Sequence, residues 1–194
     1  MSGTTGRHED AASERYLLPW TRSCWVCGQD NPIGLRARSF KVGDRVELPF
    51  TTRPEHAGWS DVIHGGFIAT VLDEVMTWAA ILGSNKPVFA ADFTVRLLEP
   101  LRAGLACTAI ARLKENRRRV FDLESWLEDG AGKVWARGTG RYMPVPADQF
   151  ASFHADFVAS AECLNLDHIF GDTLKRAEGA PASSERQANR PAGR

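Results

Sequence analysis

Residues 61–80 read DVIHGGFIATVLDEVMTWAA. From Gly66 onward almost every side chain is apolar, the pattern of a helix enclosed by protein on all sides, yet Asp73 and Glu74 sit near its middle. An unpaired buried carboxylate costs several kcal/mol or shifts its pKa, so a helix this apolar carries one only with a compensating partner or a use. The glycine pair at Gly65 and Gly66 places the helix start there and leaves its first N–H groups unshielded, a site that favours negative charge. Counting by three and four from Asp73 gives Ala69, Thr70, Met76, Thr77 and Ala80 as neighbours. Glu74, about 100° further round, shares its face with Phe67, Val71 and Trp78. Asp73 therefore looks at a space, or is neutralised by a basic residue such as Arg96 on the next strand. His64 reads as a hydrogen-bonded loop histidine, since no second ligand lies at helical spacing from it.

Outward from this helix the pattern changes to period two. GLRARSF (34–40) and RVELPF (45–50) flank a glycine-containing turn, with Val46, Leu48 and Phe50 on one face, and predict a hairpin. In VFAADFTVRL (88–97), Phe89, Ala91, Phe93, Val95 and Leu97 point one way, which predicts a strand with one dry face. Residues 105–113, 118–128 and 132–144 predict three more strands joined by KENR and DGAGK, an antiparallel meander. In the last of them Val134, Ala136, Gly138 and Gly140 share a face that lets a neighbour approach closely. The spacing of Phe150, Phe153, Phe157 and Val158 predicts a C-terminal helical extension over 146–178. Residues 1–14 and 179–194 are polar and small, and are expected to be disordered tails, leaving a domain at 15–145 that includes a cysteine-bearing extension at 20–33. The fold class is thus α+β: an antiparallel sheet of about six strands wrapped around one long central helix.

Bulk properties narrow the function. With 194 residues, 43% of them hydrophobic, the chain is long enough for one core and short for two domains. Its 24 basic and 24 acidic residues balance, and only Arg117, Arg118 and Arg119 cluster, so no nucleic-acid footprint is seen. The longest apolar run, Phe67–Leu82, is short for a bilayer span and interrupted by two acids. No membrane or export signal is read, and the protein is expected in the cytoplasm. The four cysteines there argue against a disulfide framework. Cys24-x-x-Cys27 supplies half a zinc site, and completion would need His56, His64 or a symmetry mate. With no second CxxC or HxxxH, no metal is expected, and the pair is read as shaping a loop.

His64-Gly65-Gly66, six mostly apolar residues, Asp73, and then FAADFTVRLLEPLRAG resemble the hotdog-fold acyl-CoA thioesterases of the PaaI-like group. In that group the central helix opens with HGG, carries an acid eight residues after the first glycine, and is followed by a strand ending in an L-x-P-x-x-x-G turn, matched here by Leu98, Pro100 and Gly104. The similarity covers about residues 30–145, and CWVCGQDNPIGL resembles an N-terminal extension of some members. The resemblance implies hydrolysis of an acyl-CoA thioester without a resident cofactor. Asp73 would be general base or nucleophile, the amide of Gly65, aided by Gly66, the oxyanion donor, and Thr77 the residue positioning water, with His64 beside them. Trp59, Met76 and Trp78 are candidates to line the acyl group, and Arg117, Arg118 and Arg119 to meet the coenzyme A phosphates, although each is equally a core or turn residue. A hotdog enoyl-thioester hydratase or dehydratase, with His64 as its histidine, and a non-catalytic acyl-CoA-binding domain are the alternatives.

One consequence follows from helix geometry alone. Eight residues separate Gly65 and Asp73 by about 12 Å along the helix axis, whereas one carbonyl needs donor and base within roughly 3–4 Å. Gly65 of one subunit must then face Asp73 of another, so a homodimer with two equivalent sites is expected, with a dimer of dimers left open.

Overall fold

The structure is a computed structural model that describes residues 14–158 and 160–178. The expected tails, 1–14 and 179–194, lie outside the described residues except for Glu14, which is exposed. In chain order the elements are β1 (Arg15–Leu17), β2 (Trp20–Thr21), β3 (Phe40–Val42), β4 (Arg45–Thr51), β5 (Ala57–Trp59), β6 (Val62–Ile63), α1 (Gly65–Ser84), β7 (Val88–Leu97), β8 (Ala106–Asn116), β9 (Phe121–Asp129), β10 (Val134–Pro144), α2 (Ala147–Phe153), β11 (Phe157–Val158) and α3 (Leu166–Glu178). Seven strands form one antiparallel sheet in the order β1-β3-β4-β8-β9-β10-β7, one more than expected because β1 adds to the edge of β3. The hairpin is shorter than its pattern, since residues 34–39 precede β3 without joining the sheet.

Helix α1 packs on β4, β7, β8, β9 and β10. It is long and apolar enough to cross a bilayer by length and composition, with a mean hydropathy of 1.4, but ten of its side chains are buried in the protein's own core. Val46, Leu48, Phe121, Leu123, Leu127 and Ala136 rise from the sheet to meet Val71, Leu72, Val75 and Met76, all nearly inaccessible to water. The close approach expected over β10 is present: a Cβ on Gly140 would stand 2.8 Å from the Tyr142 ring, 3.1 Å from Phe93 Cβ and 3.4 Å from Met76 Sδ. The helix ends at Asn85, whose left-handed backbone (φ 52°) turns its N–H onto the Ile81 carbonyl.

Strand β7 departs from its simple alternation. Its partner β10 pairs Arg141 with Asp92 but Tyr142 with Ala90, so Ala91 is an extra residue and the facing reverses there. Val88, Ala90 and Val95 pack on the core, while Phe89 points to solvent. Phe93 and Leu97 stay 39% and 50% exposed because β7 is the last strand of the sheet. The C-terminal extension is also not one helix. Phe157 and Val158 form β11, which pairs with β2 near the other end of the chain, and two helices flank it.

The two extensions cover the face of α1 that the sheet leaves open. Trp25 meets Phe67 edge-on at 5.8 Å, and Phe157 meets Trp78 at 6.3 Å. Placing a branched side chain on the β10 face should therefore overpack the core. Gly140→Val is expected to cost about 1–3 kcal/mol and to lower the melting temperature by several degrees in thermal denaturation, with little change for the exposed control Gly130→Ala.

Candidate active site

The N-terminus of α1 is closed by its own histidine. His64 is the N-cap, and its Nδ1 accepts the Gly66 N–H at 2.8 Å, which leaves the ring proton on Nε2. The expectation that Gly65 and Gly66 share one task narrows accordingly, because the Gly66 amide is committed. The Gly65 N–H finds no acceptor among the described residues, and a Cβ at Gly65 would stand 2.8 Å from the Leu97 side chain on the sheet edge. Glycine therefore suits both the helix start and the close passage of β7.

Asp73 is satisfied by a phenol, not by an arginine. Tyr142 on β10 donates its hydroxyl to Asp73 Oδ1 at 2.6 Å, and the Thr77 hydroxyl lies beside the same phenol. Burial raises the Asp73 pKa, and the Tyr142 hydrogen bond partly offsets that shift. The phenol itself is fully buried and is pushed well above the ordinary tyrosine range by burial and by the adjacent carboxylate. Tyr142 was not singled out from sequence. Its signal was there: it continues the inward series Ala136, Gly138, Gly140 on β10, and a buried tyrosine needs a partner for its hydroxyl.

Glu74, one position on, is served by the N-terminal extension. Its carboxylate accepts from Cys24 Sγ at 3.7 Å, and one donor atom each from Cys24, Cys27 and Glu74 lie within 4.8 Å of one another. Burial pushes the Glu74 pKa up to about 8. These are the described residues that could hold a metal; neither histidine considered for that role takes part. His56 stacks on Phe67 at 4.0 Å and bonds Arg53, and His64 caps α1.

The remaining candidates separate. Met76 is fully buried under Gly140, and Trp78 is buried against Phe157, so neither lines an accessible space in the single chain; both belong to the core. Trp59, on the β5–β6 hairpin, is 83% exposed. Arg117 is held by Glu115 at 2.7 Å and Asp122 at 3.0 Å, its charge already matched. Arg118 and Arg119 occupy the exposed turn before β9. A cleft of about 530 Å³ joins Lys114, Arg117 and Arg141 to Asp92, Glu115 and Asp122, and it contains neither Asp73 nor Gly65.

Residues 61–145, from the β5–β6 hairpin to the end of β10, match the family model of the thioesterase superfamily. Over that segment the chain is similar to the thioesterase superfamily. Its hotdog fold, a sheet packed around one long helix, is shared by the PaaI protein of the phenylacetic acid degradation operon of E. coli (17% identity, TM-score 0.50, covering 54% of this chain and 75% of that one). It is shared too by zebrafish thioesterase superfamily member 2 (20% identity, TM-score 0.53, 61% and 87% covered). A third structure, smu.793 from Streptococcus mutans UA159, was solved bound to acetyl CoA (14% identity, TM-score 0.50, 53% and 82% covered). Identities this low speak to the fold. No curated protein gives a match.

The hotdog domain's acid has a linkage that can be measured. Because the folded pKa of Asp73 lies above its ordinary 3.8, its contribution to stability is present below that value and is lost as pH rises through the folded pKa. Tyr142→Phe keeps the ring but removes the donor, so the folded pKa should rise further. The variant should lose about 1–3 kcal/mol at pH 7 and markedly less near pH 4, measured by urea unfolding at both values.

Proposed function

We propose that the chain is an acyl-CoA thioesterase that hydrolyses a thioester to a free acid and coenzyme A at sites shared between two subunits. The observation that carries this reading is the pairing of two unfinished groups on one rigid helix: a desolvated carboxylate at Asp73 and an amide at Gly65 without an acceptor among the described residues. The acetyl CoA in the Streptococcus mutans relative supports an acyl-CoA as the substrate class. The reaction asks no cofactor of the chain.

Asp73 acts on the carbonyl carbon, either by taking a proton from an attacking water or by attacking directly to give a mixed anhydride that water then opens. Tyr142 fixes the carboxylate through Oδ1 and leaves Oδ2 for the reacting atom. The Gly65 N–H, with the positive end of the α1 dipole behind it, receives the charge that develops on the carbonyl oxygen. Expulsion of coenzyme A thiolate completes the transfer. His64 is engaged as an acceptor by Gly66, which disfavours the hydratase reading, in which it would act on substrate.

The partner is a second copy of the chain. Strand β7 ends the sheet with an edge ten residues long that pairs with no strand among the described residues, and it exposes Phe93, Leu97 and Leu98, with Leu97 lying against Gly65. A two-fold contact along that edge covers this surface and brings Gly65 of each chain toward the other's Asp73.

Thiol release from a panel of acyl-CoAs tests the activity, and Asp73→Asn should abolish it. Subunit sharing is tested by mixing. Gly65→Pro removes the N–H at the first helical position, where proline is tolerated; the preceding His64 is already extended (φ −61°, ψ 131°), and the added Cβ displaces only the tip of the Leu97 side chain. Asp73→Asn and Gly65→Pro should each be inactive, and their mixture after subunit exchange should regain about a quarter of wild-type activity, since half the dimers then hold one intact site. Activity that the mixture fails to regain, with both variants folded and exchanging, would place both groups within one chain. The acid limb of the wild-type pH profile should lie above 3.8, and in Tyr142→Phe it should move higher still.

A further inference from the structure

The cluster at Cys24, Cys27 and Glu74 has no part in this chemistry, and its construction is that of a metal site. The two cysteines lie in the loop before residue 28, and Glu74 lies 50 residues away from Cys24 on α1, so the fold assembles the donors from separate elements. The loop is shaped around a thiolate. The N–H groups of Val26 and Cys27 both point at Cys24 Sγ, at 3.3 and 3.5 Å, an arrangement that favours the charged sulfur a metal requires. The Gly28 N–H closes the turn on the Cys24 carbonyl at 3.0 Å. A Cβ on Gly28 would stand 2.3 Å from that carbonyl and 2.6 Å from the Arg22 carbonyl, so the tight turn after the second cysteine demands glycine.

Glu74 makes the argument specific. It makes no ion pair with a lysine, arginine or histidine among the described residues, although it projects from an otherwise apolar helix. A pair of cysteines serving only to shape a loop or to form a disulfide needs no carboxylate at that point, whereas a divalent cation takes the carboxylate as a third ligand and removes the cost of burying it. We propose that Cys24, Cys27 and Glu74 bind a zinc-class divalent cation that clamps the N-terminal extension to the central helix. Two thiolates and one carboxylate fit a borderline-soft ion, and water completes a tetrahedron. Binding displaces the protons that the ligands hold in the free protein. The clamp sits beside the Trp25–Phe67 contact and holds the same two elements together. This inference is independent of the thioesterase reading.

The test uses the full chain, purified without immobilised metal, reduced, stripped with a chelator, desalted, and loaded with Zn²⁺ or Co²⁺. About one zinc per chain should remain after a second desalting, measured by elemental mass spectrometry, and Co²⁺ should give a thiolate-to-metal charge-transfer band in the near ultraviolet. Cys24→Ser and Cys27→Ser should each lose stoichiometric zinc. Glu74→Gln should keep a thiolate band and bind at least about tenfold more weakly in competition with a chromogenic chelator. Zinc should raise the melting temperature of the wild type and not of the Cys24→Ser variant. The proposal is overturned if the folded, reduced wild type retains no zinc or cobalt, if the cysteine variants retain as much as the wild type, or if Glu74→Gln binds with unchanged affinity. A Cys24–Cys27 disulfide in protein isolated from the cytoplasm with thiols trapped at lysis overturns it equally.

Discussion

The structure depends on one constraint: α1 is enclosed nearly all round, and it carries two carboxylates. A helix with Phe67, Ile68, Val71, Leu72, Val75, Met76, Trp78, Ala79, Ala80 and Ile81 all buried needs covering on more than the single stripe that one sheet provides. The sheet takes one side and the paired extensions take the other, which is why residues far apart in sequence, Trp20–Thr21 and Phe157–Val158, join in a small sheet of their own. Each acid then meets whichever layer lies at its azimuth. Asp73 faces the sheet and receives a hydroxyl; Glu74, about 100° further, faces the extension and receives sulfur.

The same enclosure shapes the strands. Where Leu72 and Met76 of α1 meet β10, helix and sheet can sit close only if the sheet gives way, and β10 does so with Ala136, Gly138 and Gly140 before ending its inward series on Tyr142. The space those glycines leave is what allows a tyrosine hydroxyl to reach the helix at the level of Asp73. The sheet stops at β7, however, so the start of α1 and the apolar side chains beside it are covered by nothing else among the described residues. Core packing thus completes the acid and leaves the amide end open.

The architecture was legible because it rests on period. The unbroken apolar run from Phe67, the alternation of 88–97 and the glycines of 132–144 announced a buried helix, strands and a close approach, and each is present. Three features escaped for identifiable reasons. The bulge at Ala91 reverses the facing of β7, and no residue type marks it. Phe157 and Val158 have helical spacing from Phe150, but Trp20–Thr21 offers them a strand partner, and tertiary pairing overrides a local pattern. The partners of Asp73 and Glu74, Tyr142 and Cys24, lie 69 and 50 residues from them, so only the fold could say which acid took which group. Residue type did say that each acid needed one.

Adjacent acids with different partners also bear on precision. In the proposed dimer the donor of one chain faces the acid of the other across a two-fold axis, so a slide of each helix along its own axis changes the donor-to-acid separation by twice the slide. Reacting groups must be held to a fraction of an ångström, so α1 has to be fixed axially as well as packed sideways. Apolar packing alone resists such a slide weakly, since one ridge of methyl groups resembles the next a turn away. Directional bonds at Asp73 and Glu74 do not repeat along the helix: displaced by a turn, each carboxylate would leave its phenol or its thiols and be buried without a partner. Two carboxylates on an otherwise apolar helix are therefore more than tolerated exceptions, because they define the one axial position in which the helix is satisfied.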